Sequence, residues 1–101
     1  MSWVRIFHSA VDPEDVDDIR ALFAEDVVPA FRDRPGCLSI ELLMSLDQNA
    51  GGLLEGAALS RWESFETMEE AMASRDVAEA LVRILKVLRQ EPVTRIYEAL
   101  V

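Results

Sequence analysis

The fold of this chain is decided by the stretch from Leu53 to Met72, which reads LLEGAALSRWESFETMEEAM. Its first part predicts a strand that runs through Arg61-Trp62-Glu63. Ser64 follows at once and is a preferred residue for capping the start of a helix. Apolar residues then recur at helical spacing, namely Phe65, Met68 and Met72. The stretch therefore predicts a strand that turns directly into a helix, with Trp62 at the junction.

Length and charge bound the class of protein. A chain of 101 residues predicts one domain over residues 1–101 with one modest core. The net charge of −9 argues against nucleic acid and anionic membranes as partners, because a protein that binds phosphates needs a basic face. Half of the residues are hydrophobic (50%), more than a small monomer can hide, which predicts self-association.

Cysteine usage and hydropathy indicate a cytoplasmic protein. Cys37 is the only cysteine, so an intrachain disulfide is impossible and nothing indicates an oxidising compartment. The first residues show no basic leader, and no run of about 18 apolar residues would span a membrane. A metal site is not expected, since the sequence holds one histidine, His8, and no cysteine pair.

The N-terminal half alternates between strand and helix signals. Trp3 to Val11 predicts the first strand. Asp12-Pro13-Glu14-Asp15 predicts a helix start, because the aspartate can cap free amides and proline suits the first helical position. This helix is expected to run to Pro35-Gly36, with a kink near Glu25 to Pro29, since Pro29 lacks a backbone donor.

The second half repeats the pattern. Cys37 to Leu46 predicts a second strand whose even-numbered residues, from Leu38 to Leu46, share one face. A turn-rich segment then leads to the third strand. The helix that follows is expected to break near Ser74-Arg75-Asp76, resume, and end at Pro92. Val93 to Val101 predicts the last strand.

The element order β, α, β, β, α, β predicts an α+β, ferredoxin-like fold with a four-stranded antiparallel sheet. Helices can cover only one face of such a sheet. We expect the other face to carry Trp3, Phe7, Leu43 and Trp62. The simplest cover is a second copy of the chain, which would form a dimeric α+β barrel enclosing a dry chamber.

Two motifs resemble the antibiotic biosynthesis monooxygenase family of the dimeric α+β barrel superfamily. The first is VVPAFRDRPGCLSIEL, Val27 to Leu42, and the second is SRWES, Ser60 to Ser64, followed by an acidic helix. The resemblance covers essentially the whole chain in element order. It implies the fold above, a homodimer, and a monooxygenase-like protein that acts on a flat aromatic or polyketide-type molecule. The pocket would lie within each protomer, without metal or flavin.

The resemblance also identifies where the chain departs from characterised members. Trp62 matches a tryptophan used by both the cofactor-independent oxygenases and the heme-degrading enzymes. Ala58 replaces an asparagine and Met68 a tyrosine of the oxygenases, while Met72 falls about where the heme enzymes supply an iron-binding histidine. Two alternatives therefore stand beside an oxygenase: a non-catalytic small-molecule-binding or regulatory dimer, and a heme-binding protein.

The candidate catalytic residues are Trp62, Arg5 and Glu41. Trp62 can stack on a flat ligand or stabilise an anion through its indole N–H, or it can simply fill the core. Arg5 can hold an anionic oxygen while Glu41 acts as a base, or the two can form a structural ion pair. His8 is expected on the strand face opposite Arg5. The candidate ligand contacts are Trp3, Phe7, Ser60, Met68, Met72 and Tyr97.

Overall fold

The computed structural model describes residues 2–101. Its strands are β1 (Trp3–Val11), β2 (Cys37–Gln48), β3 (Leu54–Trp62) and β4 (Val93–Glu98). Its helices are α1 (Val16–Leu22), α2 (Val28–Arg32), α3 (Phe65–Ala73) and α4 (Arg75–Leu85), with a 3-10 turn at Pro13–Asp15 and a π-helical turn at Phe23–Val27.

The four strands form one antiparallel sheet in the order β2-β3-β1-β4. This order and the sequence of elements confirm the predicted α+β, ferredoxin-like fold. The core lies between one face of the sheet and the helices. It brings Phe7 and Trp62 from the sheet together with Phe31 of α2, Met68 of α3 and Ile84 of α4.

The first helical segment begins where its sequence predicts. The Asp12 carboxylate accepts a hydrogen bond from the Glu14 amide at 2.9 Å, with Pro13 directly after the cap. Where a kink is expected, the structure has a π-helical turn, Phe23–Val27, directly before α2 and Pro29. A proline ring clashes with the carbonyl four residues earlier, and a wider turn relieves that clash. Phe23, Val27 and Phe31 follow one another at intervals of four residues, and all three lie in the core.

The helical pair after β3 also follows its sequence signals. The Ser64 hydroxyl accepts a hydrogen bond from the Thr67 amide at 3.1 Å and caps α3. Ser74 has extended backbone angles between α3 and α4, which confirms the predicted break. α4 ends earlier than Pro92, at Leu85, and a turn leads from there to β4.

Strand β2 differs from the simple alternation that its sequence indicates. Its pairing with β3 is irregular between Cys37 and Ser39 and again between Met44 and Gln48. Leu38 lies in the first irregularity and Leu46 in the second, and both are exposed. Neither leucine has a pairing partner in β3, so their place on the face of Ile40 stays a prediction.

Gly36 joins the start of β2 to the start of α3 by a close backbone approach. Its φ is +80°, and a Cβ atom placed there would collide with the Thr67 side chain. Its carbonyl accepts the Glu63 amide at 2.8 Å. This contact fixes where Ser64 caps α3 and therefore where Trp62 enters the core.

Substituting Gly36 tests how tightly this junction is packed. Gly36→Ala adds both left-handed strain and the collision with Thr67, whereas Gly52→Ala adds only strain, because Gly52 has the same φ of +80° and open space around it. We expect Gly52→Ala to lower the free energy of unfolding by about 1 kcal/mol, and Gly36→Ala to cost at least about 2 kcal/mol more. Urea unfolding followed by tryptophan fluorescence measures both values. Equal losses for the two variants would contradict the close packing.

Candidate functional site on the helix side of the sheet

The register between β1 and β3 sets the composition of the layer beneath the helices. Trp3 pairs with Trp62, Arg5 with Ser60, and Phe7 with Ala58. Residues directly opposite one another in an antiparallel pair project from the same face. Trp62 and Phe7 belong to the core under the helices, so all three pairs lie on the helix side.

This placement corrects the expectation that Trp3, Phe7 and Trp62 lie on the face away from the helices. Only Leu43, which pairs with Ala57, lies there. Both faces of β1 carry bulky side chains, so alternation alone groups residues into two sets without telling which set meets the helices. The candidate pocket is therefore inside the protomer, between sheet and helices, and not at the seam between two sheets.

Trp62 is fully buried, and its polar atom is satisfied within the chain. Its indole Nε1 donates a hydrogen bond to the Ser60 Oγ at 2.9 Å, and its ring packs against Phe31 with centroids 6.2 Å apart. Met68 is also buried in this cluster. The indole N–H therefore positions Ser60, and any ligand that uses it must first displace that hydroxyl.

Arg5 is the charged group of this layer. It is half-buried, and its guanidinium Cζ lies 5.7 Å from the centroid of the Phe7 ring. Burial lowers the pKa of the Arg5 guanidinium, but arginine remains charged in proteins. No ion pair to Arg5 is found among residues 2–101. A partly desolvated cation without an ionic partner favours binding of an anion.

The predicted pair of Arg5 and Glu41 does not form. Glu41 pairs with Leu59, which pairs with Ile6. These residues lie on the face opposite Arg5, and Glu41 is exposed. The expectation that the two charges meet is therefore wrong, because the register between β1 and β2 passes through β3 and through a bulge in β2 that the sequence does not reveal.

His8 and Tyr97 also lie on the face away from the helices. His8 is exposed and lies opposite the Arg5 face, as predicted. Tyr97 pairs with Val4 and is exposed, so the structure does not bring it near Trp62. Met72 is half-buried and packs against the core, and Trp3 stacks at a tilt on Phe65 with centroids 5.3 Å apart.

Strand β4 leaves this layer open on one side. All six of its residues are exposed, including those that project to the helix side. Ile96 pairs with Arg5 and is 45% exposed, and Glu98 pairs with Trp3. Ile96 and Glu98 thus form an open shelf beside Arg5. Sequence reasoning missed both residues, because the register of the last strand cannot be read from its own alternation.

A small cavity lies next to this layer. It has a volume of about 40 Å³ and is bounded by Phe7 and Ala58 of the sheet and by Phe23 and Ile84 of the helices. A space of that size holds a few water-sized spheres. An aromatic substrate therefore has to lie towards the open shelf or to displace side chains.

The helix side of the sheet offers no histidine to a heme iron. The single histidine, His8, projects away from the helices, and Met72 packs against the core at about the position where the resemblance places the histidine of the heme-degrading enzymes. Within residues 2–101, no three side chains of His, Cys, Asp or Glu converge closely enough to hold a metal ion. In the same part of the chain, no helix is long and apolar enough to cross a membrane.

Comparison with solved structures finds the same fold in several proteins. Rv0793 from Mycobacterium tuberculosis is 22% identical with a TM-score of 0.75, covering 100% of this chain and 97% of that one. A conserved protein from Methanosarcina mazei is 17% identical with a TM-score of 0.79, covering 97% and 92%. A variant of SnoaB, a cofactor-independent oxygenase from Streptomyces nogalater, is 14% identical with a TM-score of 0.81, covering 99% and 94%.

These identities show a shared fold and no more. No curated protein matches the sequence. The family model described as antibiotic biosynthesis monooxygenase matches residues 3–83, which contain β1 to β3, α1 to α3 and most of α4. The chain therefore belongs to the antibiotic biosynthesis monooxygenase family.

Proposed function

We propose that this protein is an oxygenase that needs neither metal nor flavin. Its substrate would be a small flat aromatic or polyketide-type molecule, bound on the helix side of the sheet in each protomer of a homodimer. The observation that carries the proposal is Arg5, a half-buried guanidinium with no ion pair among residues 2–101. Family membership supports the monooxygenase-like chemistry.

Arg5 suits a substrate with an acidic phenol. A guanidinium in a partly desolvated site stabilises a phenolate more than it does in water, and so favours loss of the phenolic proton. The aromatic ring of Trp3 and the exposed side chain of Ile96 flank Arg5 on the same face. They offer apolar contacts to a flat ring system that enters from the open shelf.

The reaction balances without a cofactor when the substrate is electron-rich. A phenolate conjugated to a CH₂ carbon between two rings delivers electrons to O₂, and a C–O bond forms at that carbon. The carbon then loses both hydrogens and becomes a carbonyl, while the O–O bond breaks and the second oxygen leaves as water. The substrate supplies all four electrons. The protein has to orient the ring, hold the anion and exclude bulk water.

A base on the helix side of the sheet has to accept the phenolic proton of the substrate. Glu41 lies on the opposite face and is not available to a substrate at Arg5. Glu98 lies on the same face as Arg5, two residues from Ile96 along β4. We assign Glu98 as the carboxylate that takes up the phenolic proton.

A second candidate function is binding without catalysis. It is favoured by the apolar residues Ala58, Met68 and Met72, and by the internal hydrogen bond that occupies the Trp62 indole N–H. A protein that only binds would hold the same aromatic molecules and return them unchanged. Product analysis separates the two functions directly.

Turnover of tricyclic hydroxylated substrates under ¹⁸O₂ tests the oxygenase. We expect mass spectrometry to find one ¹⁸O atom in the product and one in water. Arg5→Met should lower kcat/KM by about 10- to 100-fold, because it removes a charge-assisted hydrogen bond to the phenolate. Arg20→Met is the matched control, since Arg20 is exposed on α1 and pairs only with Asp17.

If every compound binds and is recovered unchanged, the protein is not an oxygenase and the second function, binding without catalysis, is the correct one. If Arg5→Met and Arg20→Met have the same kcat/KM, Arg5 does not bind the substrate, and the phenolate mechanism is contradicted.

The homodimer is supported by the sheet face that the helices leave uncovered. Apolar residues on that face include Val4, Ile6, Leu43, Ala57, Leu59 and Tyr97. Leu43 is 44% exposed in the single chain. The same face of a second copy would cover these apolar residues in a two-fold interface.

A charge placed on this face should split the dimer. Leu43→Glu would bury an unpaired carboxylate between two sheets, which costs several kcal/mol per site, and we expect a monomer by light scattering at micromolar concentration. Val82→Glu is the matched control, because Val82 is 53% exposed on α4 and lies outside the proposed interface. A monomeric wild-type protein, or a Leu43→Glu variant that stays dimeric, would contradict the proposed interface.

A further inference from the structure

The cavity beside Phe7 has a composition and a size that suit a different ligand from the aromatic substrate. Its volume is about 40 Å³. A cavity of about 150 Å³ takes benzene or xenon, so this space is too small for a ring. It is large enough for a molecule of two or three heavy atoms. The wall is formed by Phe7, Ser9, Val11, Ile19, Phe23, Leu42, Met44, Gly56, Ala57, Ala58, Ile84 and Leu88.

The interior of this cavity offers no free side-chain partner for water. Ser9 is the only polar side chain of the wall, and its hydroxyl donates a hydrogen bond to the Gln90 carbonyl at 2.8 Å. The backbones of β1 and β3 in this region are paired with each other in the sheet. A buried water needs two to four hydrogen bonds. This cavity is partly open to solvent, and its almost wholly apolar wall gives an apolar molecule more contacts than it gives an ordered water.

The strand register places the cavity one step from the proposed substrate site. Phe7 and Ala58 form the pair next to Arg5 and Ser60, about 7 Å along the strands. The Phe7 side chain lines the cavity, and the Arg5 guanidinium Cζ lies 5.7 Å from the centroid of the same ring. One aromatic side chain thus neighbours both the cavity and the proposed anion site.

We propose that this cavity binds dioxygen and holds it behind Phe7 for reaction with the substrate at Arg5. Dioxygen is small and apolar, and it is the co-substrate that the proposed oxygenase requires. The role in turnover rests on the proposed function. The binding of gas does not, because it depends only on the size and polarity of the wall.

Paramagnetic relaxation by dissolved O₂ measures the binding without any substrate. Under a few bar of O₂, we expect the methyl protons of Ile19, Ile84 and Ala58 to relax faster than those of Val27, a fully buried core residue that does not line the cavity. Nitrogen at the same pressure corrects for effects of pressure. Equal relaxation at the cavity methyls and at Val27 would overturn the proposal.

Filling the cavity should abolish the effect. Ala58→Val adds two methyl groups to the wall, and Gly56→Ala is a milder second filler whose new Cβ would meet the flexible end of Met44 at 3.3 Å. Ala78→Val is the control, since Ala78 is exposed on α4 and outside the wall. We expect both fillers, and not the control, to remove the relaxation difference at Ile19 and Ile84. A difference that survives in whichever filler retains a dispersed NMR spectrum would overturn the proposal.

Steady-state kinetics separates this inference from the proposed function. With a substrate that turns over, Gly56→Ala should raise the KM for O₂ by about fivefold, the loss expected for a contact of modest size, and leave the KM for the aromatic substrate unchanged. If O₂ selectively relaxes the cavity methyl groups but no aromatic compound is turned over, the oxygenase proposal is rejected and the O₂ site is retained. If an aromatic compound is turned over but O₂ does not selectively relax the cavity methyl groups, the oxygenase proposal is retained and the O₂ site is rejected.

Discussion

The candidate site depends on one constraint, the antiparallel pairing of β1 with β3. This register puts Trp3 opposite Trp62, Arg5 opposite Ser60 and Phe7 opposite Ala58. Because the helices pack on the face that carries Trp62 and Phe7, the same pairing brings the Arg5 charge under them. A shift of one residue would move Arg5 to the other face and leave an apolar layer with no means of holding an anion.

The cost of placing a cation in this layer indicates why the position matters. A half-buried guanidinium loses hydration, and here no carboxylate among residues 2–101 compensates for that loss. The Phe7 ring under the guanidinium recovers part of it through a cation–π contact. A bound anion would recover more. Binding of an anion at Arg5 would therefore make the protein more stable than it is without a ligand.

Much of the fold could be predicted from the sequence, because its signals are local. The limits of β1, the cap at Asp12, the cap at Ser64 and the break at Ser74 each depend on a few adjacent residues. The site could be predicted only in part, because it depends on pairing between strands. Alternation grouped Arg5 with Trp3 and Phe7 correctly, yet it did not tell which face the helices cover.

Bulges and distant pairings account for the remaining errors. The irregularity between Cys37 and Ser39 shifts the side-chain alternation of β2 and so puts Glu41 on the opposite face of the sheet from Arg5. Glu98 and Ile96 entered the site only through the register of β4. No sequence signal specifies that register, since every residue of β4 is exposed in the single chain.

A crystal structure with a bound tricyclic hydroxyquinone, a stable analogue of the proposed product, tests the central claim most directly. We predict that the ligand lies between the sheet and the helices, with its acidic oxygen within about 3 Å of the Arg5 guanidinium. A ligand found on the opposite face of the sheet, beside His8 and Tyr97, would contradict it.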